Sequence, residues 1–269
     1  MKKEAKQNGS LPLIIIGVVL VAALVGGYFY YNSAKTPAAN TNRAANSQNG
    51  SANRAQTYAN APLGANPPNM MGSPTASVTI EEFADFQCGA CASVHPVLKQ
   101  IQSTYGSRIR FIFRNFPLAI PAHDKAYEAA VAAEAIGMQD RAKFWAMQNM
   151  LFETQGTWTS NPNYRQIWEG YAQQMGMDVE KFKADMAGRD AKARVDADMA
   201  RGRGLSIDST PTILVNGKNI PLQSITEAGL RQVIDAEIQN AIKVNAPANG
   251  SAAPASSPAA ANTNANSAK

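Results

Sequence analysis

Two cysteines occur in the 269 residues, and they stand together as Cys88-Gly89-Ala90-Cys91. The run before them, Ser77 to Phe86, is rich in β-branched and aromatic residues and reads as a strand. The run after them, Gly89 to Tyr105, places Val94, Leu98, Ile101 and Tyr105 at helical spacing. A Cys-x-x-Cys between a strand and a helix fixes the local geometry. The first thiol falls at a helix N-terminus, where free N–H groups and the positive end of the helix dipole stabilise a thiolate. The second lies one turn on, within disulfide reach of the first. Cys88 is thus the expected nucleophile and Cys91 the sheltered thiol that resolves a mixed disulfide. Gly89 and Ala90 leave room for a substrate chain and add no charge or imidazole.

Other uses of the pair are weaker. Two cysteines exclude a disulfide-stapled mini-domain and a four-cysteine zinc site. A structural disulfide would close a loop too short to restrain much chain entropy. A metal site would need Cys88 and Cys91 with His95 and His123, but a Cys-x-x-Cys after a strand in an α/β pattern favours redox use. We therefore expect no metal and no cofactor, with His95 on a helix surface and His123 at a helix start.

The rest of the chain divides by composition. Residues 1–10 are polar and carry Lys2, Lys3 and Lys6 against Glu4. Residues 11–31 run without a charge (LPLIIIGVVLVAALVGGYFYY) and close on Tyr28, Phe29, Tyr30 and Tyr31. Twenty-one residues of helix match a hydrocarbon core of about 30 Å. The preceding lysines and the closing aromatics fit an uncleaved N-terminal transmembrane anchor with its start in the cytoplasm. A cleaved signal peptide, usually shorter and ending in a small-x-small site, exports the rest equally well. Residues 32–75 and 244–269 are dominated by Ala, Asn, Ser, Pro, Gly and Thr, without apolar periodicity, and read as a disordered linker and tail.

One domain over 76–243 remains. The basic charge does not belong to it. Residues 76–242 hold 17 Lys+Arg against 19 Asp+Glu, and the flanks hold 8 against 1, giving the overall +5. A slightly acidic folded unit excludes a nucleic-acid-binding face.

Its elements alternate. A second strand spans Ile109–Phe116. Helices follow over His123–Met138 and residues 141–152. Another opens at Asn161-Pro162 and runs to Met175, and one capped by Asp178 continues to Arg201. Strands Thr212–Val215 and Asn219–Leu222 flank Asn216-Gly217, a strong hairpin signal. Thr226 caps a last helix to Lys243. This order makes an α/β sheet with helices inserted between its halves, over about 120–205. Thr210-Pro211 precedes a strand, where a turn or a cis bond accounts for the proline. Glu81 and Glu82 end the first strand on opposite faces, so one of them points inward. By themselves they read as solvated strand-end charges, although a buried carboxylate beneath a dithiol could exchange a proton with it.

These segments resemble the DsbA-like thioredoxin-fold family, in particular its membrane-anchored or exported BdbD-like branch. The resemblance rests on Val78-Thr79-Ile80-Glu81-Glu82-Phe83 with Asp85-Phe86-Gln87-Cys88, and on Phe113-Arg114-Asn115-Phe116-Pro117-Leu118. It also rests on His123 with its Ala-rich helix, Phe144-Trp145, Thr210-Pro211 and Val215-Asn216-Gly217-Lys218. It implies a thioredoxin fold with a helical insertion and a thiol–disulfide oxidoreductase whose catalytic residues are Cys88, Cys91 and a buried acid, Glu82. Thr210 and Pro211 then contact the substrate beside Gly89 and Ala90. The Gly-Ala dipeptide departs from the Pro-His often found between the cysteines of DsbA-like oxidants. The implied partners are client proteins with thiols or disulfides and a membrane redox partner of the DsbB or VKOR kind. The implied place is the periplasm or the outer face of the cytoplasmic membrane. Export favours oxidation of clients. Reduction or isomerisation by the same site, and a non-redox binding module with a structural disulfide, remain open. No extra dimerisation segment is visible, which favours a monomer.

Overall fold

The computed structural model describes residues 56–245. The expected anchor, the first part of the linker and the tail beyond 245 lie outside the described residues. No helix among those described is long and apolar enough to cross a membrane.

A five-stranded mixed sheet forms the centre, in the order β1-β3-β2-β4-β5. Strand β2 (Val78–Ala84) is central, paired along both edges, and buried along its whole length. It runs parallel to β3 (Ile109–Asn115), with Ile80 opposite Phe111. It runs antiparallel to β4 (Thr212–Val215), with Phe83 opposite Thr212. The hairpin from β4 to β5 (Lys218–Ile220) turns at Asn216 and Gly217, both at positive φ (48° and 76°). That is the backbone an Asn-Gly pair adopts at least cost.

Helix α1 (Gly89–Tyr105) buries Cys91, Val94, Leu98, Ile101 and Tyr105 along one stripe. It runs on through Pro96, which lies on the exposed side. Between β3 and β4 come α2 (Ala126–Gln139), α3 (Arg141–Glu153), the single turn α4 (Gln155–Trp158), α5 (Tyr164–Gln174), α6 (Val179–Ala187) and α7 (Asp190–Gly204). Helix α8 (Glu227–Asn245) closes the fold. Helix α2 is so Ala-rich that its neighbours approach closely, and Phe86, Phe113, Phe144 and Phe152 fill the space between sheet and helices.

Three expectations need correction. Residues 56–75 are not disordered linker. Residues 56–60 are helical, and β1 (Asn69–Gly72) pairs antiparallel with β3, Asn69 opposite Phe113. This segment is held by distant polar partners rather than by an apolar stripe of its own, so composition does not reveal it. The Ala65 N–H donates to Asp198 (2.8 Å), and Asn69 Nδ2 donates to Glu134 (2.7 Å). The helix expected to run from Asp178 to Arg201 is two helices, because Gly188 is extended (ψ −177°) and ends α6. Pro162 does not open α5. Asn161 instead accepts the Asn163 N–H (2.8 Å) in a turn, and the helix starts at Tyr164.

Candidate active site

The end of β2 delivers the chain to a tight turn, where the Asp85 carbonyl accepts the Cys88 N–H at 3.1 Å. Cys88 is the N-cap of α1, and its Sγ accepts the Cys91 N–H at 3.4 Å. Both cysteines are free thiols, and their surroundings differ. Cys88 keeps 7% of its surface exposed, next to the exposed Gly89 and Ala90, whereas Cys91 keeps none. The Cys91 thiol, donating to Cys88 Sγ, is the largest influence on the Cys88 pKa. Burial opposes it, the N–H groups of Cys91 and Ala90 reinforce it, and the net result is a pKa pulled down to about 5. Burial pushes the Cys91 thiol strongly up, and the neighbouring Cys88 sulfur adds to this.

Glu82 lies on the inward face of β2 with no exposed surface. Neither of its carboxylate oxygens has a hydrogen-bond partner among the described residues. Burial alone raises its pKa to about 8, and its charge also contributes to the rise at Cys91. Thr210 and Pro211 come to the same place. The Thr210 carbonyl oxygen lies 3.4 Å from Cys88 Sγ, and the Thr210–Pro211 peptide is cis. The structure thus gathers Cys88, Gly89, Ala90, Cys91, Thr210 and Pro211 at one point, with Glu82 in the core below.

Glu81 faces the other way and is equally buried, at 1% exposure. It accepts from Arg114 Nε (2.7 Å), Arg201 Nε (2.6 Å) and Tyr58 Oη (2.9 Å). Burial, the largest single influence, would raise its pKa, but Arg201 and Arg114 together hold it below the ordinary value. The reading of Glu81 as a solvated charge is therefore corrected, since β2 is covered on both faces. Arg114 Nη1 also donates to Asp198 (2.9 Å). Burial raises the Asp198 pKa to about 6. His95 is corrected too. Instead of lying on a helix surface it is buried against Phe152, its Nε2 is 2.9 Å from Asn149 Oδ1, and burial lowers its pKa. His123 ends a short 3-10 turn ahead of α2, and its Nδ1 donates to Asp85 Oδ2 at 2.6 Å. Among the described residues no group of three or more His, Cys, Asp or Glu is placed to hold a metal.

Sequence reasoning names Asp85 and Gln87 only as part of the motif before Cys88, without a role, and passes over Gln155. Gln155 of α4 donates to the carbonyls of Phe86 (2.8 Å) and Cys88 (3.1 Å), so the helical block holds the active-site turn. Only the place of Asp85 and Gln87 beside the cysteines could have drawn attention to them. Nothing in the sequence marks Gln155.

A thiol pair at the head of α1, a neighbouring Thr-Pro loop and a helical block spliced into a mixed sheet define a thioredoxin fold with a helical insertion. A family model described as Thioredoxin matches residues 65–236, and the chain belongs to the thioredoxin family. Among solved structures it is similar to oxidised BdbD from Bacillus subtilis, at 23% identity and a TM-score of 0.54, covering 66% of this chain and 98% of that one. It is also similar to α-DsbA1 from Wolbachia pipientis, at 18% identity and a TM-score of 0.58, covering 70% and 98%. At these identities the likeness is one of fold. Among curated proteins, a Na+/H+ antiporter NhaA 1 from Mycolicibacterium gilvum is 34% identical over 152 residues, 56% of this chain and 23% of the antiporter. The chain thus matches only about a quarter of the length of such relatives.

Proposed function

We propose that this protein is a thiol–disulfide oxidoreductase that oxidises client thiols through a Cys88–Cys91 disulfide. The observation that carries this is the asymmetry of the two sulfurs, one accessible with a pKa of about 5 and the other buried with its pKa raised. A client thiolate attacks Cys88 Sγ, the Cys88–Cys91 bond breaks, and Cys91 leaves. Glu82, with a pKa of about 8, is protonated at neutral pH and supplies the proton that Cys91 needs. A second client thiolate then attacks the client sulfur of the mixed disulfide and expels Cys88. The low pKa makes Cys88 a good leaving group. The client loses two electrons to form its disulfide, and the protein is left as the dithiol. Thr210 and Pro211 flank the reacting sulfur and hold the client chain there.

The stabilised Cys88 thiolate supports the oxidising direction, because stabilising the reduced form makes the disulfide the stronger oxidant. Location rests on the uncharged run of residues 11–31, read as an anchor that leaves the domain outside the cytoplasm. Reoxidation then falls to a membrane partner of the DsbB or VKOR kind. Antiport is the activity of far longer relatives and is not carried over. Equilibrating the domain with glutathione tests the direction. A potential well above thioredoxin's, about −270 mV, is expected, and a value near it would overturn the oxidising role. Full biological activity of Cys88→Ala would overturn the redox reading altogether.

A further inference from the structure

The loop that leads into Thr210 and Pro211 also walls a cavity of about 340 Å³, together with β4 and the helical turn at residues 56–60. Tyr58, Leu205, Ile207 and Leu214 form its apolar side, in contact with the buried Phe83 and Phe116. Asp208 and Ser209 line it from the exposed part of the loop. Of the lining residues Asp208 alone is acidic, and none is basic. Among the described residues Asp208 joins no ion pair, and its one hydrogen bond is from the Ser209 hydroxyl at 3.1 Å. The cavity thus offers an apolar wall and an uncompensated carboxylate.

This wall is continuous with the residue that touches the reacting sulfur. The Thr210 carbonyl oxygen lies 3.4 Å from Cys88 Sγ. Thr212 Oγ1 donates to the Ser209 carbonyl at 2.8 Å, which ties the loop to β4. Two residues of chain span at most about 7 Å, so Asp208 lies within that distance of Thr210. A client joined to Cys88 by a disulfide brings its own cysteine Cα within about 7 Å of the Cys88 Cα. The client residue two positions from that cysteine has the same reach of about 7 Å. We propose that the cavity is a client subsite that takes an Arg or Lys side chain two residues from the client's reacting cysteine. The aliphatic stem lies along Leu205 and Ile207, and the cationic head meets Asp208. An acidic residue at that place is repelled. This rests on the thiol exchange proposed above and gives that exchange a preference among clients.

The test offers the full chain, in its Cys88–Cys91 disulfide form, short peptides with one central cysteine and Arg, Gln or Glu two positions to each side of it. Two peptide thiols give up two electrons and two protons. They leave as one peptide disulfide, and the protein becomes the dithiol. The initial rate is read for the wild type, Asp208→Asn and Asp208→Lys. The charge on a peptide also alters its own thiol, but equally for all three proteins, so the Arg-to-Glu rate ratio is what is compared between them. An exposed ion pair is worth up to about fivefold. The ratio is expected to fall about threefold in Asp208→Asn and about tenfold in Asp208→Lys, where repulsion replaces attraction. A ratio unchanged in both variants overturns the proposal. So does a fall of the same size when the charged residues stand four positions from the cysteine, which is the mark of general charge steering. If neither variant folds, a citrulline peptide, with the shape of Arg and no charge, decides on the wild type. Rates for Arg and citrulline that are equal, once each is divided by that peptide's rate with oxidised glutathione, overturn the proposal. A wild-type chain that oxidises none of the peptides would instead overturn the proposed function, which separates the two failures.

Discussion

Glu82→Gln isolates the acid beneath the dithiol. In the folded protein Glu82 has a pKa of about 8 against an ordinary 4.5, with burial as the cause. A carboxyl whose pKa rises on folding keeps its full contribution to stability below 4.5 and loses it as the pH climbs toward 8, because the unfolded chain releases the proton first. At about 1.4 kcal/mol per pH unit for one proton, the interval from 4.5 to 7 costs the wild type about 3 kcal/mol. The amide side chain of the variant has nearly the shape of the neutral acid and nothing to ionise. Urea midpoints of the dithiol forms should therefore nearly coincide at pH 5, and the variant should be more stable by about 3 kcal/mol at pH 7. Other titrating groups, Asp198 among them, drop out of the difference between the two proteins. The same substitution removes the proton donor for Cys91, so exchange should slow by about tenfold or more. A stability difference that is the same at pH 5 and pH 7 would refute the burial argument. An unchanged exchange rate would leave Glu82 without a part in the chemistry.

Three further outcomes are expected. Offered a client that already carries a disulfide, Cys91→Ala should accumulate a mixed disulfide on non-reducing gels, as the Cys88 thiolate attacks the client disulfide and releases one client thiolate, whereas Cys88→Ala should trap nothing. Arg201→Ala removes one of the two guanidinium groups that neutralise the buried Glu81, and should lower stability by about 3 kcal/mol in chemical denaturation. Gly202→Ala would put a methyl 2.4 Å from Phe116 Cε2, and should lower the same midpoint by about 1–3 kcal/mol through overpacking.

The sequence shows the parts of this protein that local rules govern. Helix α1 begins and ends where the Cys88 cap and the apolar stripe from Cys91 to Tyr105 place it. Asn216-Gly217 marks its hairpin, and Asp178 caps α6 by accepting the Lys181 N–H (2.9 Å). The two cysteines and Thr210-Pro211 are legible for the same reason, since chemistry and backbone restrict those positions. What composition hides is held over long distances. Strand β1 is four residues long and gains its order from β3. The burial of Glu81 depends on Arg114 and Arg201, 33 and 120 residues away. Asp85 belongs to the site because His123 reaches it from another element. No periodicity within one segment carries such information.

The strap over residues 58–69 also bears on the order in which the molecule is completed. Ala65 is tied to Asp198 and the Pro62 carbonyl to Arg201, pairs separated by 133 and 139 positions. A polypeptide emerges from the ribosome N-terminus first. Residues 62–65 are thus made early and must wait, unlatched, until α7 follows. Until that moment Glu81 has none of the donors contributed by α7. Contacts of such large separation slow folding, so Glu81 gains its full set of donors only once the strap and α7 have met.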